Sequence, residues 1–282
     1  MNTNPEQDSK SNSPPPQSRS GGFTPFVRGV EWVGEMSIAG IEAIGKASLF
    51  LIETLMWAFR PPYRIKILLN AMEFVGVGSL FIVVLTGFFT GAVFALQGAT
   101  AFRLFNAESL VGSTVALSLA RELAPVLTGL MVSGRAGSGI ATELGTMRVT
   151  EQIDALYTMA VNPVQYLVVP RFIAGLVMVP LLTALFNLVG MVGCYSVGVG
   201  LLHIDEGVFY ENVKWFVEPN DIYNGMIKAC VFGGILTLVG CYKGFYATGG
   251  ARGVGIATTQ SVVVSSVLIL VADYILTALM FT

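Results

Sequence analysis

Arg121 and Glu122 are adjacent ionisable residues in the middle of an otherwise uncharged run from Ser109 to Ser133. A charged side chain at the centre of a bilayer costs about 3 kcal/mol or more, so it marks a cavity, an ion path or a buried pair. Neighbours on a helix point about 100° apart, so the two need not pair with each other. Pro125 follows closely and can bend the helix that holds them. The plainer alternative is a shifted span that leaves both at a polar junction. Asp273 is another lone charge in an apolar run, near the end of the chain. There it reaches water or caps a neighbouring element.

A second group of charges, Glu143, Arg148, Glu151 and Asp154, follows a glycine-rich stretch, Gly134-Arg135-Ala136-Gly137-Ser138-Gly139. Glycines in that number could cradle a phosphate, but no G-x-x-x-x-G-K-[ST] occurs. The spacing of Ile153, Leu156 and Tyr157 predicts a short amphipathic helix with Glu151 and Asp154 on its acidic side. Thr150 and Glu151 open it, and Asn162-Pro163 stops it. Docking into a partner and serving as an interfacial connector are both open readings of this element. Catalysis has no visible constellation: G-x-S-x-G is absent, and the single histidine, His203, lies in an acidic loop. The carboxylates of 205–221 lack close metal-ligand spacing and read as a solvated outer face. Cys194, Cys230 and Cys241 sit in apolar stretches, as small hydrophobes rather than a disulfide framework or a zinc site.

The elements that position these residues follow from composition. Of 282 residues, 54% are hydrophobic and 12% charged, against about 25% charged in a soluble domain. A net charge of -2 gives no pull towards nucleic acid. Uncharged runs of about 20 residues span a bilayer, and the runs predict five spans, roughly 74–98, 109–133, 172–200, 224–245 and 257–280. Residues 1–25, rich in proline and serine, read as a disordered tail. From Val30 to Phe59, Glu31, Glu35, Glu42, Lys46 and Glu53 fall on one narrow stripe of a helix. That pattern suits an amphipathic helix lying in the membrane interface. The fold class expected is therefore all-α: a polytopic integral membrane protein with an N-terminal interfacial helix and five transmembrane helices.

An odd number of spans puts the termini on opposite sides. With the N-terminus inside, the inner segments hold Arg60, Arg64, Lys66, Arg135, Arg148, Arg171, Lys243 and Arg252, and the outer ones Arg103, Lys214 and Lys228. That excess of inner basic residues predicts a cytoplasmic N-terminus and an outer C-terminus. Glycines recur four apart at Gly87 and Gly91, at Gly240 and Gly244, and at Gly249 and Gly253, a spacing that permits close helix contact.

The stretches Leu117-Ser118-Leu119-Ala120-Arg121-Glu122-Leu123-Ala124-Pro125-Val126 and Gly134-Arg135-Ala136-Gly137-Ser138 resemble the MlaE family of ABC transporter permeases. So do Met147-Arg148-Val149-Thr150-Glu151-Gln152-Ile153, Met159-Ala160-Val161-Asn162-Pro163, Pro170-Arg171-Phe172 and the end from Asp273 to Phe281. The likeness covers about residues 26–282, which makes 26–282 one permease domain. It implies a homodimer in a Gram-negative inner membrane, working with two cytosolic ATP-hydrolysing subunits and a periplasmic MCE-domain ring of the MlaD type. Its implied activity is movement of phospholipid between inner and outer membranes, with no catalytic residue, cofactor or metal of its own. The family's coupling helix matches about 143–162, making Glu143, Arg148, Glu151 and Asp154 candidates for ATPase contact. Its lipid pocket matches Phe94, Phe102, Phe105, Arg121 and Glu122. The rival reading is an ion- or proton-coupled secondary transporter using Arg121, Glu122 and Asp273 as a relay. Five spans without an internal repeat speak against it, since many such folds contain repeats.

Overall fold

The computed structural model describes residues 38, 42, 44–61 and 64–281. The chain divides into two units, Met1–Leu49 and Phe50–Thr282. In the first, residues 44–49 are helical. Lys46 Nζ lies 2.7 Å from the Glu42 carboxylate one turn away, and this contact holds the Glu42 carboxyl below its usual range. The tail 1–25 and, apart from residues 38 and 42, the part of the interfacial helix before residue 44 lie outside the described residues.

Among its described residues the second unit is helical throughout, with no strand. It opens with α1 (50–58). Next, α2 (Ile65–Val75) passes through a 3-10 turn at Val77–Ser79 into α3 (Leu80–Arg103). α4 (Val111–Ser118), α5 (Ala124–Val132) and α6 (Ser138–Val149) follow, joined by π turns at Leu119–Leu123 and Ser133–Gly137. The short α7 (Gln152–Thr158) leads to a third π turn at Val164–Val168 and to α8 (Val169–Gly198). α9 (Glu206–Phe216), α10 (Pro219–Phe245) and α11 (Gly250–Phe281) complete the chain.

Five continuous helical stretches are long and apolar enough to cross a membrane: Ile65–Arg103, Glu108–Val149, Val164–Gly198, Pro219–Phe245 and Gly250–Met280. The protein is a polytopic all-α membrane protein. Four of the five expected spans fall within these helices; the third, 172–200, runs two residues past Gly198. The first three helices exceed the minimum because each carries a polar extension beyond its apolar run. The largest difference is span two. The residues expected to leave the membrane at Gly134 stay helical through Val149, as the π turn at Ser133–Gly137 absorbs the glycines without ending the rod.

α8 is central: it packs on α3, α10 and α2, while α10 also packs on α6 and α11. Phe186, Phe232, Leu119 and Leu236 are among the largest side chains at the core. Lipid supplies no hydrophobic drive between spans, so close backbone approach must do the work. A Cβ on Gly91 would strike the Gly190 carbonyl, and one on Gly233 the Gly175 carbonyl. These pairs set α3 against α8 and α8 against α10 at backbone contact. Gly240 and Gly244 do the same for α10 against α6. Gly249, by contrast, has φ +89 and makes the turn into α11. Two buried threonines are satisfied by their own helix: Thr183 Oγ1 donates to the Val179 carbonyl at 2.9 Å and Thr237 Oγ1 to Gly233 at 2.7 Å.

A buried ionic network as the candidate functional site

The network begins with a backbone irregularity. Leu119–Leu123 is a π turn, a feature that often marks functional positions. Pro125 lacks the N–H that a regular helix would aim at the Arg121 carbonyl. Lys228 Nζ, from α10, donates to that carbonyl at 3.2 Å. The proline therefore does more than bend the span: it frees an acceptor that a neighbouring helix fills.

The side chains of Arg121 and Glu122 diverge, as their 100° separation requires. Arg121 Nε and Nη2 each lie 2.7 Å from Asp221 Oδ1. Asp221 has a second task, because its Oδ2 accepts the Glu218 backbone N–H at 3.1 Å and closes the capping box that starts α10. Glu122 Oε2 instead lies 2.7 Å from Lys228 Nζ. Lys228 Nζ also donates to Thr277 Oγ1 at 2.7 Å and lies 3.4 Å from Asp273 Oδ1. Thr277 Oγ1 lies 3.3 Å from each Glu122 oxygen and donates to the Asp273 carbonyl at 2.8 Å. Three helical rods are thus joined by two cations and three carboxylates.

Burial sorts these groups. The Lys228 side chain is 0% exposed and Asp221 5%, whereas Arg121 and Glu122 are each 37% exposed. A buried ammonium persists only with close partners, and Lys228 has them on two helices. The open side of the network presents one guanidinium and one carboxylate.

Two of these residues are absent from the candidate set read from sequence. Asp221 was grouped with a solvated acidic face, and Lys228 with the basic residues flanking the outer side. Both are interior. The signal was available in part: Lys228 is the lone charge within the apolar run Ile222–Tyr242, as Asp273 is within Gly253–Thr282. Two lone charges of opposite sign on separate spans are natural partners. Asp273 accordingly faces Lys228 instead of water.

Of the aromatic candidates, Phe94 and Phe102 lie on α3 and Phe105 just past its end. Phe94 is 41% and Phe105 78% exposed, while Phe102 packs against the core. Next to the network, Ala116, Ala120, Leu188, Met191, Val213 and Ile222 line an apolar cleft between α4, α8, α9 and α10.

At the other end of the bundle, 143–162 is divided among elements. Glu143 and Arg148 belong to α6, at the end of the long span-two rod. Glu143 Oε1 lies 2.7 Å from Arg171 Nη2 on α8. Arg148 Nη1 lies 2.6 Å from Asp154 Oδ1 on α7. Glu151 stands between them with φ 59, the sharp reversal that turns α6 into α7. On α7, Ile153 is buried and Leu156 packs against the core, while Tyr157 and Met159 are exposed. Asn162 does not stop α7, which ends at Thr158; its Oδ1 accepts the Val164 N–H at 2.8 Å and starts the next rod.

Residues 68–279 match the family model described as Permease MlaE. The chain is 45% identical over 249 residues to a probable ABC transporter permease protein of Rickettsia felis, covering 88% of this chain and 96% of that one. It is 44% identical over 213 residues to a probable ABC transporter permease protein of Synechocystis, covering 76% and 81%. It is 38% identical over 260 residues to the intermembrane phospholipid transport system permease protein MlaE of Haemophilus influenzae, covering 91% and 98%. The matched segment contains the whole ionic network and the α6–α7 turn, and at these identities and coverages the chain belongs to the MlaE permease family.

Proposed function

We propose that this chain is the membrane subunit of an ATP-driven transporter that moves phospholipids between the inner and outer membranes. It works as a homodimer with two cytosolic ATPase subunits and an outer MCE-domain ring. The observation that carries the reading is the half-open ionic network of Arg121, Glu122, Asp221, Lys228 and Asp273 inside an otherwise apolar helical bundle. A phospholipid needs apolar walls for its tails and a small fixed polar group for its head. Arg121 is suited to a phosphate oxygen, because a guanidinium binds oxyanions through fixed N–H groups. Glu122 beside it is suited to a head-group amine. The relative in Haemophilus influenzae is named for phospholipid transport, which agrees with this chemistry.

Phe94, Phe102 and Phe105 contribute acyl-chain contacts at the dimer's lipid cavity. Glu143, Arg148, Glu151 and Asp154 receive the ATPase motion at the α7 end. The chain supplies no nucleotide-binding motif, so hydrolysis belongs to the partner. Lys228 lies within α10, which leaves eight inner basic residues against Arg103 and Lys214 outside; this favours a cytoplasmic N-terminus and a periplasmic C-terminus in a Gram-negative inner membrane.

A photo-reactive residue in place of Phe94, activated in intact membranes, tests the cavity. The expected adduct is a glycerophospholipid, identified by mass spectrometry. Adduct yield falls when Arg121→Ala is added. Labelling confined to protein, with no lipid adduct in either background, contradicts the assignment.

A further inference from the structure

The far end of the bundle, where α2 and the rod of α8 begin, holds a second polar arrangement unrelated to the ionic network. A groove lies there with Leu68, Val169, Pro170 and Ile173 among its walls. Arg60 and Arg64 stand at its rim. Each guanidinium lies over an aromatic ring: Arg60 Cζ is 5.4 Å from the Trp57 ring centre and Arg64 Cζ is 4.4 Å from that of Tyr166. Gln165 Nε2 donates to the Arg60 carbonyl at 2.9 Å, fixing Arg60 to the start of the α8 rod.

Arg103, Arg121, Arg148 and Arg171 are each ion-paired. Among the described residues, no carboxylate lies within 4.0 Å of Arg60 or Arg64. Stacking occupies the face of a guanidinium and leaves its N–H edge for an oxyanion. Gln165 and Tyr166, at the start of the α8 rod, line the same groove. Next to the groove, Met56, Phe59, Ile65 and Leu69 are exposed apolar residues, a surface suited to lipid tails. The 35-residue rod Val164–Gly198 starts here, so the groove sits at the depth of the head groups. Basic pockets between spans at that depth take anionic lipid heads.

We infer that this groove binds the phosphate of an anionic phospholipid from the adjacent leaflet, as a resident lipid that bridges Arg60 and Arg64 to the start of the α8 rod. The apolar walls select a lipid over a free anion, which would gain nothing from them. The site is independent of the transport reading and lies at the opposite end of the spans from Arg121.

Native mass spectrometry of the delipidated full chain, titrated with phosphatidylglycerol or phosphatidylcholine, tests it. The wild type binds phosphatidylglycerol more tightly. Replacing both arginines (R60A/R64A) lowers that affinity about 30-fold, from roughly 1 kcal/mol per cation, and lowers phosphatidylcholine affinity less, because the choline cation offsets its phosphate charge. R60K/R64K retains most of the preference, and K214A, at an exposed cation on α9 outside both sites, retains all of it. Equal phosphatidylglycerol binding by wild type and R60A/R64A overturns the inference. So does loss of the preference in R121A alone, which places the anionic lipid at the ionic network. Displacement of phosphatidylglycerol by millimolar inorganic phosphate overturns the lipid as its occupant. Should R60A/R64A fail to fold, Ile173→Trp fills the groove from α8 and reads the same affinity: loss is expected, and full retention overturns the site.

Discussion

Removing the Lys228 ammonium strands Glu122 and Asp273 in a site that its four methylenes helped to seal. Breaking a buried pair by deleting one partner is destabilising by about 3–5 kcal/mol. Lys228→Met is therefore expected to lower the thermal midpoint of the detergent-purified chain by several degrees. Adding Glu122→Gln and Asp273→Asn removes the uncompensated carboxylates and restores most of that loss. An unchanged midpoint in Lys228→Met contradicts the network as described. The residue scale is also where the sequence was least complete. Arg121 and Glu122 stood out because they interrupt one run side by side. Their partners come from positions 100 to 155 residues further along the chain, and sequence spacing within a helix says nothing about which rod lies beside it. Asp221 was hidden for another reason: the four other carboxylates of 205–221 make the stretch look solvated, whereas the capping box and Arg121 hold its carboxylate inside.

At the scale of elements, five apolar runs were plain in the sequence because bilayer thickness fixes the length they need. Helix ends were not, since glycine, arginine and serine at 133–139 resemble a loop and fold as a π turn instead. Glycine function divides by what a Cβ would meet. Gly91→Val drives a side chain into the Gly190 carbonyl, and overpacking of this kind costs about 1–3 kcal/mol. Gly255 in α11 has nothing within 4 Å of a Cβ, so Gly255→Ala is expected to be neutral or stabilising by up to about 1 kcal/mol. Thermal unfolding of the two variants side by side reads the contrast; equal loss in both contradicts the close α3–α8 approach. The α6–α7 turn makes a separate prediction. Arg148 and Asp154 clamp α7 against the end of the span-two rod. With the ATPase bound, Arg148→Ala is expected to lower lipid-coupled ATP hydrolysis about fivefold or more while the two subunits still co-purify. Coupled hydrolysis at wild-type rate excludes this clamp from energy transfer.

For the whole molecule, the long spans leave apolar surface uncovered. Val263, Val267, Val271 and Tyr274 on α11, and Phe81 and Phe89 on α3, are exposed in the single chain. Lipid and a second protomer are the two solvents such faces can meet. Orientation is testable at the same scale. Cysteines introduced at Glu151 and at Glu211, with Cys194, Cys230 and Cys241 replaced, should react with a membrane-impermeant maleimide from opposite sides. Glu211→Cys is labelled in intact spheroplasts and Glu151→Cys only after lysis; the reverse pattern contradicts a cytoplasmic α7.

This fold is expected to move phospholipid only when a separate ATPase drives it. Fluorescent phospholipid transfer from proteoliposomes carrying the permease, with and without its ATPase and ATP, measures that directly. Transfer is expected to require both ATPase and ATP and to fall at least about tenfold in Arg121→Ala. Transfer by the permease alone, driven by a proton or ion gradient and indifferent to ATP, would contradict it and support a gradient-coupled transporter instead.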